Sequence, residues 1–225
     1  MKFKLKDPGS ANYTWDCFSS GSSGSSAFID SLVRVERSYS YCGTGSVYSY
    51  DDAAYAASTL YHSVDSTAKV NRRLKKLDHM MIFVMIAGSY TPVCLIVLHN
   101  KIGYILCALV WATAILGIVF KAFWVTCPKW ISSVLYIGMG WLCVLAFMPI
   151  IHALPKAGFG WLLAGGIIYT IGGVIYALKL PIFNAKHKNF GSHEIFHVFI
   201  MLGSACHFIV MYCLWRICRF DDMVR

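Results

Sequence analysis

The chain has 225 residues, 57% of them hydrophobic and only 14% charged, with 20 lysines and arginines against 11 acidic residues for a formal charge of +9. A water-soluble domain carries about 25% charged residues, so the composition excludes an ordinary soluble globule and favours a membrane protein. The excess of bases could point to nucleic acid, but the bases fall in short segments between apolar runs, which argues against a nucleic-acid-binding surface and for a multi-pass chain in a lipid bilayer.

The first 51 residues are atypical. They are rich in Ser, Gly and Tyr and show neither apolar periodicity nor the apolar core of a signal peptide. One reading is a disordered tail before the first span. A sharper one comes from back-translation. Shifted by one nucleotide, Asn12-Tyr13-Thr14-Trp15-Asp16 permits Ile-Thr-His-Gly-Ile, the Ser-Ser-Gly repeats give mainly Ala and Val, and Asp51-Asp52-Ala53-Ala54 permits Met-Met-Leu-Leu. Residues 1–51 then read as a frame-shifted remnant of a first helix, opened near Asn12 and closed near Tyr55. An intact reading frame encoding the same Ser-rich peptide in close relatives would refute this.

From residue 52 the chain reads as a transmembrane domain, running to residue 217 before a short tail of 218–225. A short apolar run, Ala53 to Val64, spans only if residues before it contribute. Five longer runs follow, His79 to Leu98, Ile102 to Phe120, Trp130 to Leu154, Ala157 to Leu178 and Ile195 to Trp215. Each has roughly the 17–25 residues that cross a hydrocarbon core as a helix. The fold class expected is all-α, a polytopic helical bundle. Lys69, Arg72, Arg73, Lys75 and Lys76 fill one connecting loop, Lys121 and Lys129 flank a second, and Lys179, Lys186 and Lys188 occupy a third. The positive-inside rule places these three in the cytoplasm. Pro92 reads as a kink, the Gly165-Gly166 and Gly172-Gly173 pairs as close helix packing, and the cysteines within spans as small apolar packers.

Ionisable groups at membrane depth are expensive and mark function by default. His62 ends the short run before the first basic loop, and Asp78 begins the span after it. His193 and His197 begin the last span, directly after the third basic loop. All four therefore share one side of the membrane. Histidines at i and i+4 lie on one helix face, and three imidazoles with a water form a common catalytic zinc shell. Ser58 lies one turn before His62 on the same face, placed to donate a hydrogen bond to an oxyanion or to orient a ligand. Asp78 reads either as a helix N-cap or as the carboxylate that holds or deprotonates the water. His207 reads as a hydrogen-bonded packing residue, and His79 and His152 as interfacial. His193-Glu194-Ile195-Phe196-His197 also matches the H-E-x-x-H pattern of zinc proteases, in which the Glu is the base. Against that reading, His62 and Asp78 already complete a site.

Ser58-x3-His62, Lys76-Leu77-Asp78-His79, Ala87-Gly88-Ser89-Tyr90-Thr91-Pro92, Gly172-Gly173-x-Ile175-Tyr176 and His193-x3-His197 together resemble the bacterial hemolysin III proteins. These belong to the progestin and adipoQ receptor family, within a wider membrane hydrolase superfamily that includes alkaline ceramidases. The resemblance covers residues 55 to 217. It implies a seven-helix fold with a cytoplasmic N-terminus, of which the first helix, preceded by an Ile-Thr-His-Gly-Ile-like stretch, is missing or scrambled here. It also implies a zinc ion held by His62, His193 and His197, with Ser58 and Asp78 beside it. The function it implies is a zinc-dependent hydrolase in the cell membrane, cutting lipid amide or ester bonds. A cytolytic pore and a receptor-like protein with structural zinc are the alternatives.

Overall fold

A computed structural model describes the backbone of residues 41–178 and 192–224 and the side chains of residues 50–178 and 195–213. Among the described residues every regular element is helical. The expectations for residues 1–40, for Lys179, Lys186 and Lys188, and for the side chains of His193 and Glu194 lie outside that set.

Helix α1 (Tyr41–Ser63) leads through a short turn into α2 (Ala68–Pro92), which continues as a π-helical stretch, Val93–Leu98. Then come α3 (Lys101–Phe123), α4 (Lys129–Gly140), a 3₁₀ segment (Trp141–Ala146), α5 (Phe147–Ala153), α6 (Lys156–Leu178) and α7 (Ser192–Val224). Among the described residues, five stretches are long and apolar enough to cross a membrane: Ala68–Leu98, Lys101–Phe123, Lys129–Ala153, Lys156–Leu178 and Ile195–Cys213. A bilayer offers the backbone no other hydrogen-bond partner, which is why apolar runs of this length become helices. Their outer faces present large apolar side chains such as Ile105, Leu116 and Leu145, as lipid contact requires. The chain is an all-α, multi-pass membrane protein.

Three details differ from the sequence expectation. The basic stretch 69–76 is not a loop: it forms the first turns of α2, which extends well beyond the apolar run. Lysine and arginine are good helix formers, so a helix leaving the hydrocarbon need not stop at the charges. Asp78 is consequently no N-cap. That role belongs to Thr67, whose hydroxyl accepts from the Val70 amide at 3.4 Å. The third crossing helix, finally, is broken. Pro149 has no amide hydrogen, and its ring crowds the carbonyl four residues earlier, at Leu145, so regular α-geometry fails upstream and the 3₁₀ segment takes its place. The Tyr90 hydroxyl is lodged in the break, donating to the Gly140 carbonyl and accepting from the Cys143 amide. At Pro92 the expected disturbance is the π-helical stretch that follows it.

Two contacts fix the helices that matter for the site. The α1–α2 turn is tied by Asn71, whose side chain accepts from the Ser66 amide (3.1 Å) and donates to Asp65 (3.0 Å), so the end of α1 is held against the start of α2. Helix α7 lies tightly on α6 through missing side chains. A Cβ on Gly172 would sit 2.6 Å from Phe199 Cβ, and one on Gly203 would sit 2.6 Å from the Tyr169 ring. Without a water-driven hydrophobic effect between membrane helices, such close approach supplies the van der Waals contact that holds them together.

Candidate functional site

Ser58, Thr59 and His62 occupy the last turns of α1, and all three are buried. His62 is only 6% exposed. Its ring meets that of His197, brought in by α7, with centroids 5.5 Å apart and planes nearly perpendicular at 88°. These histidines are separated by most of the chain, and the glycine-mediated seat of α7 on α6 lets them meet. Tyr61 and Phe196 border the imidazoles, with centroids 4.8 Å from His62 and 6.0 Å from His197. Tyr176 stacks on Phe196 at 4.7 Å, and the Lys129 ammonium lies 4.4 Å from the centre of the Tyr176 ring.

Asp78 enters from α2, 8% exposed. Its Oδ2 is 3.4 Å from His79 Nδ1, and the same nitrogen is 3.0 Å from the Lys75 carbonyl, the shorter contact and the one fit for a hydrogen bond. The Tyr136 hydroxyl donates to the His79 carbonyl at 3.1 Å, pinning that turn of α2 to α4. The carboxylate is also within Coulombic reach of His62 and His197, and of the phenols of Tyr61, Tyr136 and Tyr176. A carboxylate withdrawn from water is tolerated only with such company.

The structure thus brings three of the five residues singled out from sequence near one another, His62, Asp78 and His197, and Ser58 lies one turn before His62 on α1. The fifth, His193, occupies the first turn of α7, one turn before His197, and its side chain is outside the described set. Among the described residues no three His, Cys, Asp or Glu side chains form a group that could hold a metal ion. Two hydroxyls in the last turns of α1, Ser58 Oγ and Thr59 Oγ1, are buried without a hydrogen-bond partner among the described residues. Such orphans are uncommon and call for an explanation. Sequence reasoning missed His79, read as merely interfacial, and the phenols of Tyr61 and Tyr136. Tyr176 and His79 carried a signal, in the Gly-Gly-x-Ile-Tyr and Lys-Leu-Asp-His patterns; Tyr61 and Tyr136 carried none. His207 packs as expected, stacked on Tyr169 with centroids 5.5 Å apart, yet its Nδ1 lacks the expected partner among the described residues.

A cavity of about 150 Å³ adjoins the site, among α2, α4, α5, α6 and α7. Tyr136 and Phe196 border it where it approaches Asp78 and His197, and it follows α7 past Ile200 to His207. Most of its wall is apolar.

The model of the family described as "Haemolysin-III related" matches residues 53–208. "Hemolysin-3" of Bacillus cereus is 43% identical over 155 residues, 68% of this chain and 66% of the relative. "Hemolysin-3 homolog" of Bacillus subtilis (strain 168) is 39% identical over 162 residues, 71% of this chain and 72% of the relative. "Adiponectin receptor protein" of Drosophila melanogaster is 27% identical over 168 residues, covering 65% of this chain and 35% of that protein. The chain spans about two thirds of the length of the Bacillus cereus relative. All the described site side chains and the cavity fall inside the matched region, and the chain belongs to the haemolysin-III related family.

Proposed function

We propose that the chain is a zinc-dependent membrane hydrolase acting on an amide or ester bond of a lipid. One observation carries the reading: two imidazoles from separate helices, His62 buried and His197 half-buried, meet at 5.5 Å, within Coulombic reach of a buried carboxylate and near the end of an apolar cavity. Neutral imidazoles brought close together from two helices are the donor type that zinc takes, which supports the reading. His62 and His197 would hold the ion, with His193, one turn before His197, as third ligand. When bound, zinc lowers the pKa of a coordinated water and polarises a carbonyl.

The chain's own residues supply the rest. Asp78 would orient the attacking water and accept its proton, with the His79 imidazole 3.4 Å away and its burial screening it from bulk solvent. Ser58 Oγ, buried and unpaired, would donate to the oxygen on which negative charge develops. The apolar cavity would hold an acyl chain and keep water from the scissile bond. The site adjoins the segments that carry Lys75, Lys76, Lys121 and Lys129, the end of the bundle assigned to the cytoplasm by the positive-inside rule, in the cell membrane.

The relatives named a hemolysin and an adiponectin receptor keep two other readings in play, cytolysis and a receptor-like role, the latter with zinc that is structural. A lipid-hydrolysis panel on purified protein separates the three. The hydrolase reading requires release of fatty acid that is abolished by Asp78→Asn and by chelation, and restored by added zinc. Dye release from vesicles without hydrolysis would favour cytolysis. Unfolding on chelation without any turnover in the zinc-loaded state would favour the receptor-like role.

A further inference from the structure

The cavity wall is mostly apolar, yet two buried side-chain atoms in its lining residues have no hydrogen-bond partner among the described residues, Ser133 Oγ and His207 Nδ1. They stand far apart. Ser133 is in the second turn of α4, three residues before Tyr136, whose hydroxyl bonds the Asp78–His79 turn. His207 is ten residues beyond His197 on α7, roughly 15 Å farther along the helix at 1.5 Å per residue.

The His207 ring is held in place although one of its nitrogens is uncommitted. It stacks on Tyr169 with an interplanar angle of 24°, and the Tyr169 hydroxyl is fixed by Ser204 at 2.9 Å. Ser204 in turn accepts from Tyr55 at 2.7 Å, which ties α1 into the same arrangement. Space for the ring comes from Gly165, where a Cβ would lie 3.1 Å from His207 Nε2. A leucine or phenylalanine could occupy a packing position here with no polar atom to satisfy. A lone water is a poor partner as well, because it needs two to four polar neighbours and the cavity wall offers few.

We propose that the cavity selects an oxygenated acyl chain, with a hydroxyl far along the chain bonded to His207 Nδ1 and a polar atom near the headgroup bonded to Ser133 Oγ. A hydroxyl suits His207 in either tautomer, because it can both donate and accept. This names the substrate class of the proposed lipid site and rests on that reading, while its test needs binding alone.

The full chain in nanodiscs is loaded with a fluorescent fatty acid, which is then displaced by stearate or by stearate hydroxylated at mid-chain. Wild type should bind the hydroxylated chain about tenfold more tightly, the value of one good buried hydrogen bond. His207→Leu should remove the preference and leave stearate affinity unchanged, and Asp78→Asn should keep the preference. Equal affinity of the two probes for wild type, or a preference that survives His207→Leu, overturns the proposal. The wild-type comparison decides even if His207→Leu fails to fold. Selective binding without hydrolysis would count against the hydrolase reading alone, and hydrolysis without selectivity against this proposal alone.

Discussion

Gly203→Ala tests how the fold builds the site. The added Cβ would stand 2.6 Å from the Tyr169 ring, against the 3.4–4 Å of ordinary contact, so about 1 Å must be found. Tyr169 cannot yield freely, because its hydroxyl is bonded to Ser204 and its face is stacked on His207. Helix α7 must therefore lift from α6. Overpacking of this kind costs about 1–3 kcal/mol, and at the slope typical of a chain this size the melting temperature should fall by roughly 2–12 °C. His197 lies less than two turns away on the same helix, so the lift also carries it away from His62. A misplacement of about 1 Å at a reacting group costs about a hundredfold in rate. Thermal unfolding in detergent reads the first effect, and lipid hydrolysis reads the second. In a Tyr169→Ala background, where the ring is gone, Gly203→Ala should cost little further stability. A Gly203→Ala protein that melts with wild type would refute the idea that this contact seats α7.

Other substitutions probe single roles. Ser58→Ala should leave folding intact or slightly improved, since a buried unpaired hydroxyl is removed, while lowering hydrolysis about 10²–10³-fold as loss of an oxyanion donor does. Glu194→Gln should change turnover little, whereas a protease of the H-E-x-x-H type would lose orders of magnitude; a peptide and lipid substrate panel distinguishes them. Lys121 is fully buried, its ammonium bonded to Ser132 Oγ and, at 3.0 Å, to Cys127 Sγ. Lys121→Ala empties that space and leaves Ser132 Oγ with Cys127 Sγ at 3.3 Å as its partner, so stability should drop by about 2–4 kcal/mol, read as a lower denaturation midpoint.

The spans were legible because the bilayer leaves an apolar run of about 20 residues little choice but a helix. Where that constraint lapses, so did the reading. At 69–76 the charges marked the edge of the hydrocarbon and not the end of α2, and Asp78 was therefore mistaken for a candidate cap when it lies deep in the helix. Pro92 was read as a kink, but Pro149 was not, nor the 3₁₀ segment upstream of it, where the Tyr90 hydroxyl reaches the Gly140 carbonyl from another helix. Within the site, Ser58, His62, Asp78 and His197 could be read because ionisable or polar groups stand out at one depth of an apolar sequence. Tyr136 could not, since its role is a bond to the backbone of His79, 57 residues away, that no local pattern encodes. Nor does sequence show an orphaned nitrogen: His207 became informative only once Tyr169, Gly165 and the cavity lay around it.

The most direct test of the central claim is the metal content of purified protein, measured by mass spectrometry for wild type, His62→Ala and His193→Ala. Expected is about one zinc per wild-type chain, lost in both variants while they remain folded by circular dichroism. Wild type purified from zinc-replete cells without stoichiometric metal, or either variant retaining a full complement, would contradict it.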